Sequence, residues 1–302
     1  PGEGHRQLPE TQAQVRGPVI GGAMKKRALY GGILALGVLA LLAADYRWRI
    51  DALFVGVVTA ISIAGFIEFA LLLRKREIPV FVKSGALFCG LLVIAMYLAC
   101  GGDRAAFWAV PGILLLALFY WLARSAIREG TTPIVGASAS MLGLAYIGLS
   151  IGSLFPLRAE GTGSEGTVMV VATVAAIKLG DIVAYLVGVS LGKHKLAPVI
   201  SPNKTVEGLI GQLAAGALAG FVLLAVVWQV YPAGAAALFG LVVSAAGGAG
   251  DLAESKLKRM CAVKDSGNAF SAFGGVLDLL DSVLLGVPVA YALTVLYRWM
   301  GI

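Results

Sequence analysis

Between residues 247 and 282 the chain reads GGAGDLAESKLKRMCAVKDSGNAFSAFGGVLDLLDS, and four aspartates share this stretch with four cations. The aspartates are Asp251, Asp265, Asp278 and Asp281; the cations are Lys256, Lys258, Arg259 and Lys264. Carboxylates beside cations suit a site that holds a divalent metal and a phosphate together, because Mg²⁺ binds through a few carboxylates plus substrate phosphates. Strongly apolar runs flank the stretch, and charge placed where a chain re-enters lipid is expensive enough to point to function. The plain alternative is a solvated basic loop. Such a loop has no need of paired aspartates inside the helix that follows it.

A second block, KLGDIVAYLVGVSLGKHKLAPVISPNKTVEG, covers residues 178–208. Lys178 and Asp181 are three residues apart and share a helix face, with Tyr185 one further turn along. A Lys–Asp pair inside a membrane helix can simply neutralise itself. The loop after it is harder to dismiss. Ser201, Pro202, Asn203, Lys204 and Thr205 supply a rigid turn, a hydroxyl, a cation and a second hydroxyl directly before a helix. Spare N–H groups at that helix start, with Lys204 and Thr205, make a plausible phosphate cradle. Glu207 is placed to interact with the same N–H groups or to reach another polar group.

The elements that must carry these residues follow from composition. The chain is 59% hydrophobic and 14% charged, with a mean hydropathy of +0.87, far beyond a soluble globular domain. Apolar stretches of the ~20 residues needed to cross a bilayer recur throughout. They fall near 27–44, 52–73, 84–100, 105–123, 134–154, 167–190, 208–230, 233–250 and 276–299, which gives about nine spans. The eighth is short and Gly-rich. Forty glycines suit close helix packing in lipid, and Pro111 and Pro288 fall inside spans, where they should bend the helix locally.

Lysine and arginine set the orientation. One side of the membrane collects Lys25, Lys26, Arg27, Arg74, Lys75, Arg76, Lys83, Arg124, Arg128, Lys193, Lys195, Lys204 and the 256–264 cluster. The other holds Arg47, Arg49, Arg104, Arg158 and Arg298. The expectation is a multi-pass protein of the cell (inner) membrane with its N-terminus and charged loops cytoplasmic. The net charge of +7 is then a topology signal and calls for no nucleic-acid partner. Basic loops of this kind also attract anionic lipid head groups. Cys89, Cys100 and Cys261 lack metal-ligand spacing and read as packing residues. Residues 1–23 read as a polar, Gly/Pro-rich disordered tail, and 24–302 as one integral-membrane domain without a convincing internal repeat.

The two charged blocks resemble the phosphatidate cytidylyltransferase (CDP-diacylglycerol synthase) family. SPNKTVEG resembles the family's SPKKTxEG, preceded here by Asp181, Ala184-Tyr185 and the run Gly192–Leu196. GDLAESKLKRMCAVKDSGN resembles its GDLxES…KR…KDSG signature, followed by Gly274-Gly275, Asp278 and Asp281-Ser282. The match covers roughly 170–290 at motif level, with Glu68 a weaker point of agreement. Three positions depart. Phe273 stands where the family has the histidine of PGHGG, Leu279 replaces the arginine of LDRxDS, and Val189-Ser190 lack the arginine usual after Gly188.

The resemblance implies that CTP and phosphatidate give CDP-diacylglycerol and pyrophosphate, and that the enzyme is active but divergent. It implies Asp251, Asp278 and Asp281 as ligands of Mg²⁺, as one ion or two adjacent ions. Lys204, Lys258, Arg259 and Lys264 would bind phosphates, with Ser201, Thr205 and Ser255 as hydroxyl partners. Asp181, Tyr185, Glu207 and Asp265 would line the substrate site, and His194 would act as a loop or phosphate contact. Expected partners are CTP, phosphatidate or a related lipid phosphate, membrane lipids and, as a candidate assembly, a second copy of the chain. The expected fold is an all-α polytopic membrane protein with a polar cavity facing the cytoplasm and opening laterally to lipid. The rivals are a CTP-dependent lipid kinase, a cytidylyltransferase for isoprenoid-ether lipids, an inactive paralogue and a transporter. A transporter leaves the SPNKTVEG and KRMCAVKDSG segments without a role.

Overall fold

The computed structural model describes residues 51–127, 133–160, 165–263, 266 and 275–302. Eight helices among them are long and apolar enough to cross a membrane. These are α1 (Asp51–Arg74), α2 (Val82–Cys100), α3 (Arg104–Ala126), α4 (Ile134–Ala159), α5 (Glu165–Leu191), α6 (Val206–Val227), α7 (Ala233–Met260) and α8 (Val276–Trp299). Each matches one of the expected spans. The span at 27–44 and the tail at 1–23 lie outside the described residues. Helices satisfy every backbone N–H and C=O internally, which lipid requires of a spanning segment. Their outer surfaces carry bare apolar side chains, such as Trp108 at 70% exposure. The chain is a multi-pass membrane protein.

Two features differ from expectation. The helix expected to be short, α7, runs 28 residues to Met260. Asp251, Ser255, Lys258 and Arg259, read from the sequence as loop residues, therefore sit on a rigid helix. It ends in a Schellman arrangement: Val263 N–H donates to Lys258 O and Ala262 N–H to Arg259 O, both at 3.0 Å, with Ala262 at φ 56°. The last span is also broken. A first turn, Val276–Leu280, and a body, Val283–Trp299, meet at Asp281 and Ser282.

A small antiparallel hairpin, β1 (Lys195–Ala197) and β2 (Ser201–Thr205), connects α5 to α6. It pairs Lys195 with Thr205 and Ala197 with Ser201, and these are the only strands among the described residues.

The helices pack in sequence, α5 most extensively against α6 and α6 against α7. Small residues permit the second contact: a Cβ on Gly240 of α7 would run into the backbone oxygen of Gly216 on α6. The two ends of the bundle are chemically distinct. Asp51 pairs with Arg158 at 2.6 Å, and Glu160 pairs with Arg298, at one end. The hairpin, the α1–α2 loop and the end of α7 gather at the other. Burial raises the pKa of the Cys261 thiol there, against the opposing pull of Arg76 and Lys75.

Candidate active site

The α5–β1–β2–α6 unit places a cation and a hydroxyl at the start of a helix. Thr205 is the N-cap of α6: its Oγ1 accepts the Gly208 N–H at 3.1 Å, and it is buried. That bond leaves the Thr205 hydroxyl hydrogen as its remaining donor. Glu207, one turn in, accepts from the backbone N–H groups of Lys193 (3.1 Å) and His194 (3.2 Å), and lies 2.6 Å from His194 Nδ1. Glu207 therefore fills both roles its position allowed, accepting from its own N–H at the start of α6 and clamping the entry of the hairpin. Ser201 lies at the hairpin turn, paired with Ala197.

Lys204 crosses from β2 to α7, where its Nζ meets Asp251 Oδ2 at 2.8 Å. Ser255, one turn beyond on α7, donates to Asp251 Oδ1 at 3.3 Å. Between α5, α6, α7 and the hairpin lies a cavity of about 790 Å³, within the range of small-molecule sites. Asp181, Tyr185, Lys204, Thr205 and Asp251 all line it. The two sequence blocks, some forty residues apart, thus converge on one space. Lys195 and Asn203, both within the first block, also line it, and so does Gln212, which was not anticipated. Gln212 is buried, and its Nε2 donates to Ser244 O at 3.1 Å and faces Asp181 Oδ1 at 3.4 Å. An amide isolated in the apolar run of α6 was the signal available for it.

At the break in α8, Ser282 is fully buried and joins several groups. Its Oγ donates to Asp181 Oδ2 (3.0 Å) and receives Lys178 Nζ (2.9 Å), while its N–H donates to Asp281 Oδ1 (2.5 Å). Asp281 lies within electrostatic reach of Asp251, Lys178 and Asp181. Three carboxylates, Asp181, Asp251 and Asp281, therefore face two ammonium groups, Lys178 and Lys204.

Asp278 looks elsewhere, although it is only three residues from Asp281. Its Oδ1 meets Lys258 Nζ at 2.6 Å. Its Oδ2 accepts from Ser266 N (3.0 Å), Ser266 Oγ (2.9 Å) and Gly275 N (2.7 Å). Lys258 is sandwiched, also pairing with Glu254 at 2.5 Å, and the Glu254 side chain has no exposure at all. Glu68 reaches in from α1 to accept from Leu277 N at 2.9 Å and Ser266 Oγ at 3.4 Å. This second cluster ties Ser266 and Gly275 to the first turn of α8. Lys258 points into it rather than into the cavity wall, and Arg259 turns outward to Val263 O at 3.4 Å. Lys264, Asp265 and Phe273 lie outside the described residues.

Among the described residues, no three His, Cys, Asp or Glu side chains gather closely enough to hold an ion by themselves. Mg²⁺ nevertheless takes one or two carboxylates plus substrate phosphates. Asp251, on the cavity wall, and Asp281 beside it supply that kind of donor. Asp278 is engaged differently: three donors crowd its Oδ2, while its Oδ1 meets Lys258 alone and keeps one acceptor site open.

A polytopic helical bundle with a charged cavity built between α5, α6, α7 and the hairpin is the class of protein defined here. The chain belongs to the cytidylyltransferase family, whose model matches residues 25–297. It is 33% identical over 231 residues to the phosphatidate cytidylyltransferase of Bacillus subtilis, covering 75% of this chain and 84% of that protein. The enzyme of the same name from Staphylococcus haemolyticus is 30% identical over 217 residues, with coverages of 72% and 81%. That of Staphylococcus saprophyticus is 33% identical over 175 residues, and the match spans 58% of this chain and 65% of that protein.

Proposed function

We propose that this protein is a phosphatidate cytidylyltransferase, and that the cavity around Lys204 and Asp251 is where CTP meets the lipid phosphate. The observation that carries the reading is the Lys204–Asp251 contact, which joins the two signature blocks across a cavity of nucleotide scale. A phosphate oxygen of phosphatidate attacks the α-phosphorus of CTP. A new P–O bond forms, the α–β bridging P–O bond breaks, and pyrophosphate leaves. The attacking phosphomonoester is already anionic near neutral pH, so the protein need not supply a covalent nucleophile. Its task is alignment and charge neutralisation.

Lys204 and the open start of α6 bind phosphate oxygens, and Tyr185 and Asn203 shape the wall around the nucleotide. Asp251 is the principal ligand of Mg²⁺ and Asp281 the second. The ion's contribution is to offset the charge that develops on the leaving phosphates. Asp278 and Lys258 act at one remove, by tying Ser266 and Gly275 to the start of α8 and to the end of α7. The cavity faces the cytoplasm of a cell whose inner membrane the helices cross, since CTP is a soluble substrate and the acyl chains stay in lipid. The test is incubation of the purified protein with CTP and phosphatidate. Formation of CDP-diacylglycerol with equimolar pyrophosphate supports the reading, and phosphorylation of a polyprenol instead would favour the lipid-kinase alternative.

A further inference from the structure

The family pattern carries an arginine at the position of Leu279, so the chain lacks a cation there. The structure places a different cation against the same backbone. Lys178 Nζ donates to Leu279 O at 3.3 Å and to Ser282 Oγ at 2.9 Å, and lies 3.6 Å from Asp181 Oδ2. We propose that Lys178 supplies, from α5, a substrate-phosphate-binding charge in place of the arginine that the family pattern has at position 279 on α8. This rests on the cytidylyl-transfer reading and adds a specific residue to it.

Three observations carry the exchange. First, Lys178 sits at the midpoint of α5, thirteen residues from each of its ends at Glu165 and Leu191. At ~1.5 Å of rise per residue that is ~20 Å from either end, a depth at which a charge is retained for a purpose. Second, its ammonium is not sealed. The side chain is 42% exposed, against 13% for Lys258, which two carboxylates enclose. Only the Ser282 contact is short, so the ammonium can turn toward an incoming phosphate. Third, the neighbourhood is short of positive charge: Asp181, Asp251 and Asp281 outnumber Lys178 and Lys204. Leu279 is half-buried and stands outside the apolar core that takes in its neighbours Leu277 and Leu280. Among the described residues, nothing in the packing of the first turn of α8 demands a leucine there.

The test is a double-mutant cycle on Lys178→Met and Leu279→Arg in purified protein, with kcat and KM for CTP and for phosphatidate measured separately. A wild type that makes no CDP-diacylglycerol defeats the functional reading itself, independently of Lys178. With an active wild type, K178M should lose on the order of a hundredfold in kcat/KM, as removal of one preorganised charge contact does. Adding L279R should recover most of that loss, and whichever substrate's KM moves identifies the phosphate bound. Gel filtration and thermal melts in detergent accompany each variant, and K178R tests whether a cation at 178 is sufficient. K178M at wild-type kcat/KM overturns the proposal. So does a K178M/L279R protein that is monodisperse and melts like the wild type yet stays inactive, because Lys178 would then serve only to hold the α8 junction.

Discussion

Asp251 and Asp278 carry the same functional group in the same signature region, yet their surroundings give them different work. Asp251 faces the cavity with Lys204 and Ser255 as partners. Asp278 spends both oxygens on Lys258, Ser266 and Gly275. Removing the Asp278 charge leaves Lys258 with Glu254 alone and weakens the acceptor for Ser266 and Gly275, a part of the about 3–5 kcal/mol that breaking a buried ion pair outright costs. Asp278→Asn should therefore lower the detergent melting temperature markedly as well as reduce turnover. Asp251→Asn should melt like the wild type while losing on the order of a hundredfold or more in rate. An Asp278→Asn protein with unchanged melting would show that the contacts of Asp278 to Lys258, Ser266 and Gly275 do not hold the start of α8. An Asp251→Asn protein with normal turnover would remove Asp251 from the site. The sequence pointed to both residues, but spacing alone placed Asp278 and Asp281 on one helix face. It could not reveal the break at Asp281–Ser282, which sends the two carboxylates to different partners.

At the scale of elements, the spans were legible because a run of about 20 apolar residues has few alternatives to a membrane helix. The extension of α7 from residue 250 to Met260 was not, since its C-terminus lacks the expected stop. A left-handed residue after a helix is usually glycine, and here Ala262 takes that position at φ 56°. Ala262→Gly should consequently raise stability by about 1 kcal/mol, the cost of a Cβ in that conformation, without altering kcat. A thermal melt decides it: a lower melting temperature would mean that the end of α7 is held by something other than the Schellman geometry. The hairpin was hidden for a related reason. Its strands are three and five residues long and carry no alternating pattern. Ser201–Thr205 thus read only as a turn before a helix, and the clamp from Glu207 to Lys193 and His194 depends on a fold-back that local propensity does not encode.

Across the whole molecule, the even number of spans between the hairpin and the end of α7 brings two basic segments to one end of the bundle. Single cysteines at Val199, which is 90% exposed, and Met260, 63% exposed, test this in a background without Cys89, Cys100 and Cys261. Both should react with an impermeant reagent from the cytoplasmic side of oriented vesicles, and a cysteine at Trp299 from the opposite side. Labelling of 199 and 260 from different sides would separate the two signature blocks and remove the shared site. Most of the bundle's outer surface is apolar side chain, so the cavity between α5, α6 and α7 is where a soluble nucleotide and a lipid phosphate can meet. The most direct measurement supplies CTP labelled at the α-phosphate, and separately at the γ-phosphate, with phosphatidate in mixed micelles. The α-label should enter the lipid phase as CDP-diacylglycerol and the γ-label leave as pyrophosphate, both abolished in Asp251→Asn. Transfer of the γ-label to lipid, or no lipid-borne label from either position, would contradict cytidylyl transfer.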